Sequence, residues 1–389
     1  MHAPDRTVTS RRAVSRTIGA AALAAGVGVP GVIGPAARAD DGTTALPAWM
    51  GHMRATLDPV LPAVFSTPQF TPFTTTESIP TLKGATLVSF WLAPGGIREA
   101  HWHPNCVEFP LVLSGEVVIG LTDQHGNSVA FHARAGDALL IPRGWWHWFW
   151  NPGPEPMHII NGFTTEAIQS VNLPRWVSSL PDAVLAQALG VAEGDLPHLP
   201  RFDNLSFLHG REGAAAAAGA VDAAVLGDLP YSVNLIGSSP LLETPAGSVR
   251  MIGAAQLPAA EATWRWVTLA PSALFEPHWH ANATEMIYLT AGTIEIGMDA
   301  PDGESDRFTA SAGDAIFIPL GWGHWVRAIG EEPVAFAVFQ TAGTVQVSTL
   351  KQALRAIPTE LLARSLFLPE DALADLTLAD TPVLSLPVD

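Results

Sequence analysis

The chain has 389 residues, 48% of them hydrophobic and only 15% charged, with 34 Gly and 33 Pro. Its formal net charge of −17 at pH 7 argues against nucleic acid and anionic membranes as partners. A chain of this length can bury two substantial cores, and its turn-rich composition suits an all-β architecture.

The segment 1–39 stands apart from the fold. Ser10-Arg11-Arg12 precedes an apolar, Ala/Gly-rich stretch over 18–33, and Ala37-Arg38-Ala39 is a small-residue cleavage pattern. Residues 1–39 are therefore predicted to be a twin-arginine export signal, which would place the mature protein in an extracellular or periplasmic compartment. The stretch is too short and too rich in Gly, Pro and Ala for a membrane span, so no membrane association is expected after export. It contains five Arg and one Asp, so removing this +4 takes the chain from −17 to −21. Any anion specificity must then come from local positive groups. Residues 40–79 follow as an N-terminal arm.

The first folded unit is expected over 80–200. His101-Trp102-His103 reads as a strand with both imidazoles on one face and Trp102 on the other, because side chains i and i+2 share a face. Arg98, three positions before His101, would fall on the opposite face of a regular strand. Pro104-Asn105 breaks the strand, and an apolar run over 108–113 ends at the Ser114-Gly115 turn. Gly136-Asp137 opens a third run over 138–142, and the Arg143-Gly144 turn delivers His147 onto a returning strand. Trp145, Trp146, Trp148 and Trp150 around His147 are assigned mainly to core packing, at least one being a candidate pocket wall. Cys106 is the only cysteine, so no intrachain disulfide can form, and it is read as a small buried residue and not a ligand. The loop over 162–167 has Glu166 as its one ionisable residue. Helix-like spacing over 172–191 closes the unit.

Residues 201–230, with an alanine run over 214–218, read as a linker without chemistry of its own. The second unit, 231–389, repeats the first. His278, His280, Glu285 and His324 repeat His101, His103, Glu108 and His147 at one constant offset of 177 (278 − 101, 324 − 147), and the same offset links Gly115 to Gly292, Pro142 to Pro319 and Pro181 to Pro358. A second helical pattern falls at 348–367. Each set of three imidazoles and one carboxylate suits Mn(II), Fe(II) or another divalent ion, with positions left open for water, substrate or dioxygen. The copies differ around that set. Phe275 stands at the place of Arg98, and the loop over 340–344 has no carboxylate, two differences that set the N-terminal centre apart. His2, His52, His125, His132, His158, His198 and His209 form no ligand pattern.

The first copy reads Gly95-x5-His101-x-His103-x4-Glu108-x6-Gly115, then Gly136-x5-Pro142-x-Gly144-x2-His147-x3-Asn151. With these motifs the chain resembles the cupin superfamily over roughly 80–200 and 230–375; the second copy departs only at Ser272 and Ala328, neither a ligand position. The resemblance implies two tandem jelly-roll barrels with short peripheral helices. Among two-domain cupins, Arg98-Glu99-Ala100-His101-Trp102-His103 is similar to the bacterial oxalate decarboxylases. That likeness implies two Mn(II) ions per chain, dioxygen as co-reactant, and conversion of oxalate to formate and carbon dioxide. It also implies Arg98 facing the carboxylate substrate, Glu166 as a lid acid that moves the proton, and a homo-oligomer, trimer or hexamer. Phe109-Pro110 replaces the usual Trp of that family, and its Ser-Glu-Asn lid is absent. An oxalate oxidase, an aromatic-cleaving dioxygenase and a non-catalytic, storage-like metal binder therefore stand as alternatives.

Overall fold

The computed structural model describes residues 53–58, 69–70, 74–196, 207–209, 220–222, 225–226, 228–301, 303–373, 376 and 383–387. The expected export signal and the alanine run of the linker lie outside them. Among the described residues, no helix is long and apolar enough to cross a membrane.

Each copy folds as two facing antiparallel sheets. In the first, one sheet runs Ser232–Asn234, Asp137–Leu139, Glu108–Ser114, Met157–Phe163, Thr86–Leu92 and Gln69–Phe70. The other runs Val171–Asn172, Gly96–Trp102, Trp146–Trp150, Glu116–Thr122 and Ser128–Arg134. The outer sheet alternates as a half-solvated sheet should: in Trp146–Trp150 only His147 and Phe149 are buried. Thr86–Leu92 and Met157–Phe163 are instead buried along their whole length, because one face lines the barrel and the other meets the second barrel. The all-β, two-barrel reading of the sequence is thus what the chain adopts.

The barrels share one continuous apolar core. Trp264 Nε1 donates to the Phe109 carbonyl across the contact at 2.7 Å. Nearby, Gly162 abuts the Phe339 ring so closely that a Cβ at 162 would sit 2.3 Å from it. These two residues are the same position of the repeat. A polar cluster also bridges the contact. Asp58 Oδ2 accepts from Ser89 Oγ at 2.7 Å and from the Tyr288 hydroxyl, while Asp58 Oδ1 accepts from Trp91 Nε1 at 3.1 Å. His158 stacks on Trp91 at 3.8 Å with its Nε2 2.9 Å from Ser89 Oγ.

Segments are exchanged between the barrels. Arg54–Thr56, from the N-terminal arm, pairs with Asp314–Ile318 of the second barrel, whereas Ser232–Asn234, just before the second barrel, pairs with Asp137–Leu139 of the first. Part of the expected linker also packs on the first barrel, Phe207–His209 pairing with the Gly96–Trp102 strand. Each barrel is followed by a helix pair, Leu173–Ser179 with Asp182–Leu189 and Leu350–Ala356 with Thr359–Leu366, broken at Pro181 and Pro358.

Candidate metal centres and substrate pocket

In the first barrel His101 ends the Gly96–Trp102 strand, His103 follows it, Glu108 opens the next strand, and His147 comes opposite His101 through pairing of Gly96–Trp102 with Trp146–Trp150. All four are buried, and one donor atom from each lies within 4.8 Å of the others. Three carbonyls orient the rings: Nδ1 lies 2.8 Å from Glu99 O for His101, 2.8 Å from Gln169 O for His103 and 3.0 Å from Trp145 O for His147. Donation to a carbonyl places the proton on Nδ1 and leaves the Nε2 lone pair facing the centre. Glu108 Oε2 then stands 3.1 Å from His103 Nε2 and 2.9 Å from His147 Nε2, acceptor against acceptor. Those three atoms are buried and lack hydrogen-bond partners among the described residues. An arrangement of converging lone pairs is stabilised by a cation, and this donor set fits a divalent ion. Burial raises the Glu108 pKa, and a proton on His147 or His103 would outweigh that and hold the carboxyl at about 2, so Glu108 stays ionised whether a proton or a cation balances it. Burial keeps His101 and His147 below the usual imidazole range, so both stay neutral and ligand-competent.

Arg98 does not point away from this centre. The ladder between Gly96–Trp102 and Trp146–Trp150 shifts register between Arg98 and His101, and the irregularity brings both residues into one pocket. The alternation expected of a regular strand is corrected by that bulge. The guanidinium donates to Glu99 Oε1 at 2.7 Å, and Nη1 and Nη2 both reach Asn172 Oδ1 at 3.3 Å. Burial lowers its pKa and Glu99 opposes this; a guanidinium remains charged regardless.

The pocket has a volume of about 410 Å³. Its apolar wall is Val88, Phe90, Phe149, Phe163 and Ile168, and among the described residues no tryptophan lines it. The indoles near His147 serve packing instead: Trp145 lies against Tyr231, Trp148 fills the space over Gly120, and Trp146 packs with Trp102 and Trp176. Glu166 is at the pocket wall, where its carboxylate accepts from the Gly84 backbone N–H at 2.8 Å; that hydrogen bond is the main reason its pKa is lowered. The loop around it is tied down by Asn105, which donates to the Ala167 carbonyl at 2.7 Å and accepts from Gln169 N at 3.1 Å. Cys106 is buried outside the ligand cluster, and burial pushes its thiol up to about 12, so it is inert.

In the second barrel the donor atoms of His278, His280 and His324 gather within 4.8 Å. Glu285 meets two of these rings, 2.8 Å from His280 Nε2 and 3.6 Å from His324 Nε2. Its Oε2 also accepts from Gln340 Nε2 at 2.7 Å, and that amide nitrogen lies 3.0 Å from His280 Nε2. The buried Nε2 atoms of His278 and His324 have no hydrogen-bond partner among the described residues, so a cation fits here too. Phe275 stacks on the His278 ring at 4.6 Å, on the same bulge that carries Arg98 in the first barrel.

Several pocket residues escaped motif reading. Asn172 and Glu99 hold Arg98, and Asn161 lines the pocket with a buried Oδ1 unpartnered among the described residues. A comparison of the two copies position by position would have exposed Asn161, since Val338 takes its place in the second copy.

A duplicated jelly roll with a buried His/Glu cluster in each half, the first opening onto a pocket, defines a two-domain metal-binding β-barrel protein. The Cupin family pattern matches residues 69–195 and 233–372, and the chain belongs to that family. It is 27% identical over 303 residues to oxalate decarboxylase OxdC of Bacillus subtilis (strain 168), covering 76% of this chain and 77% of that protein. An oxalate decarboxylase of Arthroderma benhamiae is 22% identical over 312 residues, 72% of each chain. A solved structure of Bacillus subtilis oxalate decarboxylase at pH 4.6 superposes with a TM-score of 0.74 at 23% identity, over 86% of this chain and 87% of that one. The chain is a bicupin related to oxalate decarboxylase.

Proposed function

We propose that the N-terminal centre catalyses manganese-dependent decarboxylation of oxalate to formate and carbon dioxide. The observation that carries this is Arg98, a buried guanidinium brought by a strand bulge into the same pocket as His101, His103 and Glu108. The net reaction breaks one carbon–carbon bond and consumes one proton, with no net oxidation. Manganese bound by His101, His103, Glu108 and His147 would supply Lewis acidity and, with dioxygen, access to one-electron chemistry. Arg98 would bind the substrate carboxylate through two parallel N–H donors and stabilise negative charge beside the apolar wall of the pocket. Asn161 offers a second polar contact in the same pocket. Glu166 would supply the proton, for which its carboxylate must leave the Gly84 N–H that holds its pKa down, take up a proton from solvent and meet the pocket.

A coupled assay of formate, carbon dioxide and peroxide, with metal content measured on the same protein, tests the reading. Formate without peroxide is expected, with about two manganese ions per chain, in line with two ligand sets. Glu166→Gln should lower formate and raise peroxide, since the shape is kept and the acid removed; an unchanged ratio would take Glu166 out of the mechanism. A cavity of about 410 Å³ with three phenylalanines in its wall is roomier than oxalate needs. If wild type forms neither formate nor peroxide, that volume favours a dioxygenase acting on a larger aromatic acid. The apolar faces of the helix pairs, including Trp176 and Leu361, are the proposed contacts of a homo-oligomer. Export through the twin-arginine route belongs to the same proposal.

A further inference from the structure

The second barrel holds a buried cation that the motifs do not mention. Arg265 lies on the Thr263–Leu269 strand, whose next-door Trp264 turns towards the first barrel and donates to the Phe109 carbonyl. Alternation therefore turns Arg265 into the interior of its own barrel. It pairs with Val338, two positions from Gln340, whose amide sits against His280 and Glu285. Its counterpart in the first copy is Val88, a wall residue of the first pocket. Arg265 is 7% exposed, and its Nε has no hydrogen-bond partner among the described residues. Glu285 is the carboxylate whose charge opposes the effect of burial on this guanidinium. The two barrels have thus exchanged residue types: Arg98 with Val88 in the first, Phe275 with Arg265 in the second.

A guanidinium cannot shed its charge on burial, and an uncompensated buried charge is costly. Among the described residues Glu285 is the one carboxylate that serves Arg265, and it must also serve Gln340, His280 and any cation bound at the cluster. One carboxylate does not balance a guanidinium and a divalent ion, so the site has room in its charge balance for one more anion. We propose that the C-terminal centre is a second binding site for a small carboxylate, held by Arg265 beside the His278, His280 and His324 cluster. It takes the substrate class inferred for the first centre and does not depend on which centre is reactive.

Calorimetric titration of oxalate into the manganese-loaded full chain, with metal content measured in parallel, tests this. Wild type is expected to take up about two oxalates per chain, one per arginine-bearing centre. Arg265→Leu should lose one of them while keeping its metal and the Arg98-dependent site, and Arg98→Leu should lose the other. A wild type that binds a single oxalate, lost in Arg98→Leu, overturns the proposal, as does an Arg265→Leu chain that still binds two. If Arg265→Leu does not fold, Arg265→Lys retains the charge without the paired donors and should weaken the second site at least tenfold, about 1.4 kcal/mol; unchanged affinity overturns the proposal. Binding only at the Arg265 site would leave this inference standing and defeat the reading of the N-terminal centre, and no binding at all defeats both.

Discussion

Arg98 is fixed by Glu99 on one side and by Asn172 on the other, and the two contacts make different demands. Glu99 supplies charge balance at 2.7 Å, whereas the Asn172 oxygen meets both terminal nitrogens at 3.3 Å and so sets the plane of the guanidinium. Arg98→Lys keeps a positive charge but loses the planar pair of donors, and should lower kcat/KM for oxalate by about 10²-fold with metal content unchanged. Asn172→Ala leaves the charge and frees its orientation, so a smaller loss, about tenfold, is expected. Steady-state kinetics on metal-matched samples checks both, and an Asn172→Ala enzyme with wild-type constants would mean that Glu99 alone positions the arginine.

The same asparagine has a cost at the level of the element. Asn172 is the N-cap residue of Leu173–Ser179, yet its side chain makes no capping hydrogen bond. In the second copy Thr349 occupies that place and forms a capping box with Gln352. There Lys351 neutralises Glu276 at 2.8 Å, where the first copy uses Arg98 and Glu99. Thr349→Ala should destabilise Leu350–Ala356 by about 1 kcal/mol, a roughly fivefold loss of amide-exchange protection in that helix. Asn172→Ala should leave protection of Leu173–Ser179 nearly unchanged; equal effects in the two helices would remove the distinction. These elements also show where sequence reading stops. The ligands were legible because His-x-His alternation, turn glycines and the constant offset between the copies each constrain them independently. The face of Arg98 was not, since a bulge inserted between Arg98 and His101 leaves no mark in hydrophobic alternation. Arg265 escaped for another reason: Thr263, Trp264 and Arg265 are buried in succession, so no periodicity there separates the barrel interior from the interface.

Across the whole molecule the two barrels are joined by buried groups whose protonation matters. Burial takes His158 down to about 3, well under the value of about 6.5 for an unfolded imidazole. Between those values the unfolded chain holds a proton that the folded chain lacks, so this group costs stability as pH falls from about 6.5 towards 3 and costs nothing above that window. The upper bound is about 5 kcal/mol. Since His101, His147, His278 and His324 are also lowered by burial, the comparison must be with a variant. His158→Gln should flatten the fall of Tm between about pH 6.5 and 4 relative to wild type. Parallel curves would show that His158 does not report on the contact between the barrels.

Gly162 and Phe339 are one position of the repeat, and they face each other. A dimer of two first copies would set glycine against glycine and leave a void there, while a dimer of two second copies would drive two phenyl rings into the same space. Only the unlike pair fills it. The contact therefore tells self from non-self between two sequences that descend from one, and the tandem arrangement in a single chain guarantees the correct partner at equal stoichiometry. Expressed as separate polypeptides split within the linker, the halves should remain poorly associated alone and assemble one to one when mixed; a stable homodimer of either half, seen by sedimentation, would show that the rest of the interface overrides this steric lock.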